Sequence, residues 1–206
     1  MAACCGSDHQ FNGLDPAYKR VLWWVVVINA VMFLVEIGAG VNASSQALFA
    51  DALDFLADAM AYALALWAIG KPNQIRAKVA LSKAVTLVLM ALWVFGSSLW
   101  QWWHPVMPQA QVMGIVAVAA LVANLVSVVL LMAYKDGDAN VTSVWLCSRN
   151  DAIGNVAVMV AAALVYWAQS AWPDLVVALI MSGLFVYSAV AIFRQAWFEL
   201  KSAGRN

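Results

Sequence analysis

Three aspartates, Asp51, Asp54 and Asp58, and a fourth, Asp151, one turn after Cys147, sit within stretches otherwise apolar enough to cross a bilayer. A carboxylate at bilayer depth costs roughly 2.5–3.5 kcal/mol on insertion scales unless something compensates it, so an intramembrane carboxylate is by default a sign of function. On a helix turning about 100° per residue, positions 51, 54 and 58 lie within about 60° of one another and share one stripe. Cys147 and Asp151 form a second stripe, which Asn155 extends by one further turn. Two helices bearing such stripes can bring Asp54, Asp58, Cys147 and Asp151 together as one donor cluster. Carboxylates and a thiolate suit a divalent transition ion, whose charge offsets groups that otherwise must protonate or repel.

The elements that must position these groups are apolar runs at about 21–41, 48–70, 79–103, 112–134, 143–167 and 174–197, each long enough to span about 30 Å at about 1.5 Å per residue. This predicts an all-α integral membrane protein of six transmembrane helices. Breakers separate the runs: Asn42 to Gln46, Lys71-Pro72-Asn73, His104-Pro105 with Pro108, Lys135 to Asp138, and Trp172-Pro173-Asp174. An even number of crossings puts both termini on one side. Lys19, Arg20, Lys71, Arg76, Lys78, Lys83, Lys135, Arg194, Lys201 and Arg205 all fall on that side, and the opposite loops carry no Lys or Arg. By the positive-inside rule both termini are expected in the cytoplasm, with Arg149 snorkelling from the inner start of the fifth helix, and the location is the cell (inner or plasma) membrane. Tryptophans agree: Trp23, Trp24, Trp67, Trp145 and Trp197 near the inner boundary, and Trp100, Trp102, Trp103, Trp167 and Trp172 near the outer one. Trp93, at mid-membrane, reads as packing. The expected organisation is a cytoplasmic tail at 1–20, a six-helix domain at 21–197 and a short cytoplasmic tail at 198–206, too short for a folded domain.

Composition narrows the function classes. Of 206 residues 65% are hydrophobic and 11% charged, which excludes an ordinary soluble domain, and the formal net charge of zero gives no basic field for nucleic acid. No hydrolase or metalloprotease motif appears, so neither enzymatic chemistry nor a resident cofactor is expected. The first 20 residues contain Asp8, His9, Asp15, Lys19 and Arg20 without an apolar core, so the first helix is expected to insert unaided. Three cysteines give no disulfide framework. Cys4, Cys5 and His9 are suitable ligands for a soft metal or simply part of a polar terminus.

The remaining intramembrane polar residues fall into supporting roles. Asp51, nearer the outer end of the second helix, is expected to hydrogen-bond a ligand from behind or to line an exit path. Asn29 reads as hydrogen-bonding glue between helices, as do Asn124, Asn150 and Asn155 unless they serve the site. Glu36, two turns after Asn29 on the same face, is a proton relay or a structural partner. Ala57, Ala61 and Ala65, and Gly38 with Gly40, mark close helix approach, and Met113, Met132, Met159 and Met181 read as packing.

The run Ser45-Gln46-Ala47-Leu48-Phe49-Ala50-Asp51-Ala52-Leu53-Asp54-Phe55-Leu56-Ala57-Asp58 resembles the second-helix signature of the cation diffusion facilitator (cation efflux) family, in which S-x-A-L-x-A-D-A precedes an H-or-D-x3-D metal pair. Leu146 to Gly154 is similar to that family's fifth helix, and the resemblance covers all six helices, including Asn124 and Glu36. It implies a proton-coupled exporter of a divalent metal from the cytoplasm, working by alternating access. Asp54 and Asp58 take the second-helix ligand positions, and Cys147 and Asp151 the fifth-helix ones. On this reading Asp58 and Asp151 hold the metal throughout, while Asp54 and Cys147 tune selectivity and proton affinity.

Two departures stand out. Zinc-transporting members of the family usually place His at one or both first-ligand positions, which in this chain are Asp54 and Cys147. Three carboxylates and a thiolate suit Zn²⁺ or Cd²⁺, whereas an oxygen-rich set with Asn150 as fourth donor leans toward Co²⁺, Ni²⁺, Fe²⁺ or Mn²⁺. The chain is also expected to be a short form lacking the C-terminal cytoplasmic domain that helps larger members dimerise, so a homodimer would form through membrane helices. The alternative reading is a non-transporting metal sensor or assembly subunit whose cluster holds a structural metal.

Overall fold

The computed structural model describes residues 15–68, 73–134 and 139–203. Cys4, Cys5, His9, Lys71, Lys135 and Arg205 lie outside them, as do the side chains of Ala65, Arg76, Trp145, Cys147, Arg149 and Asn150. The described chain is all helical: α1 Pro16–Ala43, α2 Gln46–Ala68, α3 Asn73–Trp103, α4 Ala110–Leu131 with a 3₁₀ turn at Met132–Tyr134, α5 Ala139–Ala168 and α6 Trp172–Ala203.

Five of these six, α1, α3, α4, α5 and α6, contain stretches long and apolar enough to cross a membrane. The 23 residues of α2 suffice in length, but its three aspartates remove it from that set. Large apolar side chains such as Leu34, Leu92, Ile115 and Trp167 point outward. An exterior of this kind suits hydrocarbon, because lipid does not penalise exposed Leu, Ile or Trp as water does.

Helix ends depart from the apolar runs where local chemistry overrides hydropathy. α1 begins at Pro16, inside the stretch expected to be tail, because the Asp15 side chain accepts a hydrogen bond from Ala17 N at 2.8 Å and proline suits the first helical position. It ends at Ser44, whose left-handed backbone (φ 54°) lets Ser45 N reach Gly40 O at 3.0 Å. The connection to α2 is thus two residues, shorter than the breaker Asn42 to Gln46. Trp172-Pro173-Asp174, expected as a break, is instead the first turn of α6.

α2 occupies the middle of the bundle and touches α1, α3, α5 and α6. The other main packing pairs are α3 with α6 and α4 with α5. One large core joins Leu48 and Ala57 of α2 to Met90 and Val94 of α3, Met113 of α4, Val158 and Val165 of α5, and Met181 and Phe185 of α6. A second, at the other end of α2, gathers Tyr62 with Tyr18, Leu22, Val25, Val26 and Leu131.

Several packing expectations need correcting. Trp93 is 64% exposed and lies on the outside of α3, because the helix face toward the core is taken by Met90, Ala91 and Val94. Met132 is exposed as well, whereas Met113 and Met181 are buried in the core. Asn29 is buried but its amide donates to Val25 O of its own helix at 2.8 Å, so its bond is not between helices. Of the two glycines, Gly40 is the close approach: a Cβ there would meet Phe49 N at 3.1 Å, while one at Gly38 would meet nothing within 4 Å.

Candidate metal centre

The N-terminal end of α2 is built by residues far away in sequence. The first N–H groups of any helix lack partners within it, and here a carboxylate from α6 supplies them. Asp174, fully buried, accepts from Gln46 N at 2.8 Å, Ala47 N at 3.0 Å and Ser45 Oγ at 2.6 Å, while Ser45 Oγ accepts from Leu48 N at 3.1 Å. The Gln46 side chain donates to Gln101 Oε1 on α3 at 2.7 Å and accepts from Ser97 Oγ at 2.7 Å. Gln101 Nε2 in turn donates to Ser44 O and Val106 O. Gln109, at the start of α4, donates from N to Ala43 O and from Nε2 to Asn42 O. Three helices thereby fix where α2 starts, and hence the rotation of its aspartate stripe.

Along that stripe the aspartates meet different partners. Asp51 is buried and lies beside Glu36 of α1, which is 0% exposed. Glu36 and Asp51 are within hydrogen-bonding range of each other while no other described donor reaches Glu36 Oε1, Glu36 Oε2 or Asp51 Oδ2, so a bond between the two carboxyls needs a proton on one of them. Asp54 is half-buried and stands within hydrogen-bonding range of Asp151 on α5, with the Lys83 ammonium of α3 acting on it through space. Asp58 is buried and accepts a hydrogen bond from the Tyr62 hydroxyl one turn along. Asn155, one turn beyond Asp151, is fully buried with neither side-chain atom hydrogen-bonded among the described residues. Asn124 of α4 is also buried.

The structure therefore brings Asp54 and Asp151 together from two helices and sets Asp51 beside Glu36. Among the described residues no three His, Cys, Asp or Glu side chains gather closely enough to hold one ion. Asp58 accepts from Tyr62 and its charge also acts on Asp54, and the side chains of Cys147 and Asn150 lie outside the described residues. Chemically, two carboxyl groups brought together from two helices repel each other when both are ionised, unless a cation lies between them or one of them keeps a proton that both share.

Three residues at or around this stripe were not picked out by type and spacing. Tyr62 was within reach, since it continues the 51, 54, 58 series by one turn. By sequence Lys83 marks only the cytoplasmic side of the charge asymmetry. Asp174 gave no signal, because its partners are 127 to 129 residues away.

Comparison with known proteins decides the family. The profile of the cation efflux transmembrane domain matches residues 22–200. The chain belongs to the cation efflux family. Family membership and the apolar exterior together make it a multi-pass membrane protein. It is 27% identical over 205 residues to the zinc transporter ZitB of Pectobacterium atrosepticum, an alignment covering 93% of this chain and 64% of the relative. It is 27% identical over 210 residues to the cation efflux system protein CzcD of Alcaligenes sp. strain CT14, covering 96% of this chain and 63% of the relative. The metal cation efflux system protein CzcD of Cupriavidus metallidurans is 26% identical over 210 residues, with 96% and 63% covered. The chain thus spans 63–64% of the length of these cation efflux relatives, which are named for transport or efflux rather than for catalysis.

Proposed function

We propose that this protein exports a divalent transition-metal cation of the Zn/Cd/Co/Ni/Fe/Mn class from the cytoplasm in exchange for protons, by alternating access. Asp54, Asp58, Cys147 and Asp151 are the ligands, with Asn150 the alternative fourth donor, and Asp51, Glu36, Asn124 and Asn155 stand around them or on the proton path. The observation that carries this reading is the approach of Asp54 on α2 to Asp151 on α5 inside the apolar bundle of a cation efflux family member. Carboxylates and a thiolate bind metal only when deprotonated, so metal and protons compete for one set of groups and linkage couples their movements. The names of the zinc and cation efflux relatives support the ion class. All six helices cross the membrane in this proposal, both termini face the cytoplasm of the inner or plasma membrane, and a homodimer forms through the helices.

The experiment is metal flux into proteoliposomes carrying a trapped pH dye, with Zn²⁺, Cd²⁺, Co²⁺, Ni²⁺, Fe²⁺ and Mn²⁺ compared. At least one ion should enter with opposite proton movement, and Asp58→Ala combined with Asp151→Ala should lower that flux about 100-fold or more. Metal entry without proton movement would remove the antiport part of the proposal. Stoichiometric binding with no flux for any ion would favour a sensor or assembly subunit with a structural metal.

A further inference from the structure

The Tyr62 hydroxyl binds one of the two carboxylate oxygens of Asp58, a residue that the proposed function makes a metal ligand. Tyr62 is 2% exposed and Asp58 7%, and the hydroxyl donates to Asp58 Oδ2 across one helical turn. The phenol ring is fixed by Tyr18, Leu22, Val25 and Val26 of α1 and Leu131 of α4, so this donor is held in place by packing on two neighbouring helices. A buried carboxylate without a partner is strongly disfavoured, and Tyr62 gives Asp58 a neutral partner whenever no cation is bound to it.

We infer that Tyr62 is a positioning residue that competes with the cation for Asp58 and thereby sets how readily the ion is released. The inference rests on Asp58 being a ligand, as proposed above. To turn fully toward a cation shared with Asp54 and Asp151, Asp58 gives up the phenol. When the ion leaves, the phenol takes its place, so the carboxylate is never stranded in the apolar bundle. A carrier's site must bind tightly enough to load and weakly enough to unload, and a built-in competitor at one ligand weakens binding without removing a donor. A hydrogen bond to a charged group is strong enough that its loss corresponds to about tenfold in an equilibrium constant.

The test is Zn²⁺ flux and Zn²⁺ binding by the full chain and by Tyr62→Phe, in the same proteoliposomes. Removing the hydroxyl should lower the Zn²⁺ KM and Kd about tenfold and also lower the maximal rate, because release slows. A residue that only packs would leave the KM unchanged, and one that helps hold the metal would raise it; either result overturns the inference. As a second measurement, 3-fluorotyrosine at position 62 keeps the shape while strengthening the O–H donor, and should move KM upward. A KM that falls or stays fixed in that protein also overturns it. Absence of Zn²⁺ flux and binding in the unsubstituted protein would instead count against the proposed function itself.

Discussion

The two ends of α2 are held by different physics. At its N-terminal end the helix is tied to α6 through Asp174, to α3 through Gln101 and Ser97, and the preceding turn is tied to α4 through Gln109. Toward its C-terminal end, Tyr62 packs among Tyr18, Leu22, Val25, Val26 and Leu131, and the bond from Tyr62 to Asp58 stays within α2. Hydrogen bonds to a buried carboxylate are directional and costly to leave unmade, so they fix the rotation and height of a helix. Apolar packing is non-directional and holds a side chain by shape instead of by specific bonds. The difference teaches that one end of the aspartate stripe is anchored by directional bonds between helices, while the end carrying Asp58 is held by the apolar packing around Tyr62.

The sharpest way to break this comparison is to cut the anchor. Asp174→Ala strands Ser45 Oγ and the N–H groups of Gln46 and Ala47 in a buried setting, and should destabilise the protein by about 3–4 kcal/mol, read as a fall in the thermal midpoint in detergent. At the opposite end Leu22→Ala removes a side chain 1% exposed and should cost about 2 kcal/mol, mainly through the cavity it leaves. If Leu22→Ala proved the more damaging of the two, the contrast between an anchored and a packed end would fall. Flux sharpens the point further: Leu22→Ala should alter the Zn²⁺ KM by loosening the ring of Tyr62, whereas Asp174→Ala should mainly reduce the amount of folded protein. The smallest effect belongs to Gln46→Leu, which removes the side-chain bonds to Gln101 and Ser97 while leaving the backbone cap intact, and should cost about 1 kcal/mol with the KM unchanged.

Much of the architecture is legible in the sequence because lipid is a strict solvent. Apolar runs bounded by Pro, Gly, Asn and charged residues give the number and order of the helices, and spacing gathers Asp51, Asp54 and Asp58 on one stripe and Cys147 and Asp151 on another. What escapes has identifiable causes. Hydropathy does not mark where α1 starts, since Asp15 and Pro16 are polar or breaking by composition yet favourable as a helix cap and first residue. Outward and inward faces are hard to tell apart when both are apolar, which is why Trp93 looks like core and is exposed. Asn29 shows the opposite limit: an intramembrane amide needs a partner, but its own helix can provide one. Tyr62 continues the aspartate spacing by one turn, but its type gives no signal, because a phenol is seldom sought as the partner of a buried carboxylate. Asp174 was invisible, its role depending on a tertiary contact between the second helix and the sixth.

Gly40 gives the α1–α2 contact an unusual sensitivity. The space that a methyl group would need at that position is filled by the backbone of Phe49, at 3.1 Å from N and 3.4 Å from Cα. Backbone cannot swing aside as a flexible side chain can, so one added carbon would act as a wedge between the two helices. The interval across which Glu36 meets Asp51 is therefore gauged by a hydrogen atom one turn away. A change that leaves every carboxylate in the sequence could still detune the spacing of the acidic row.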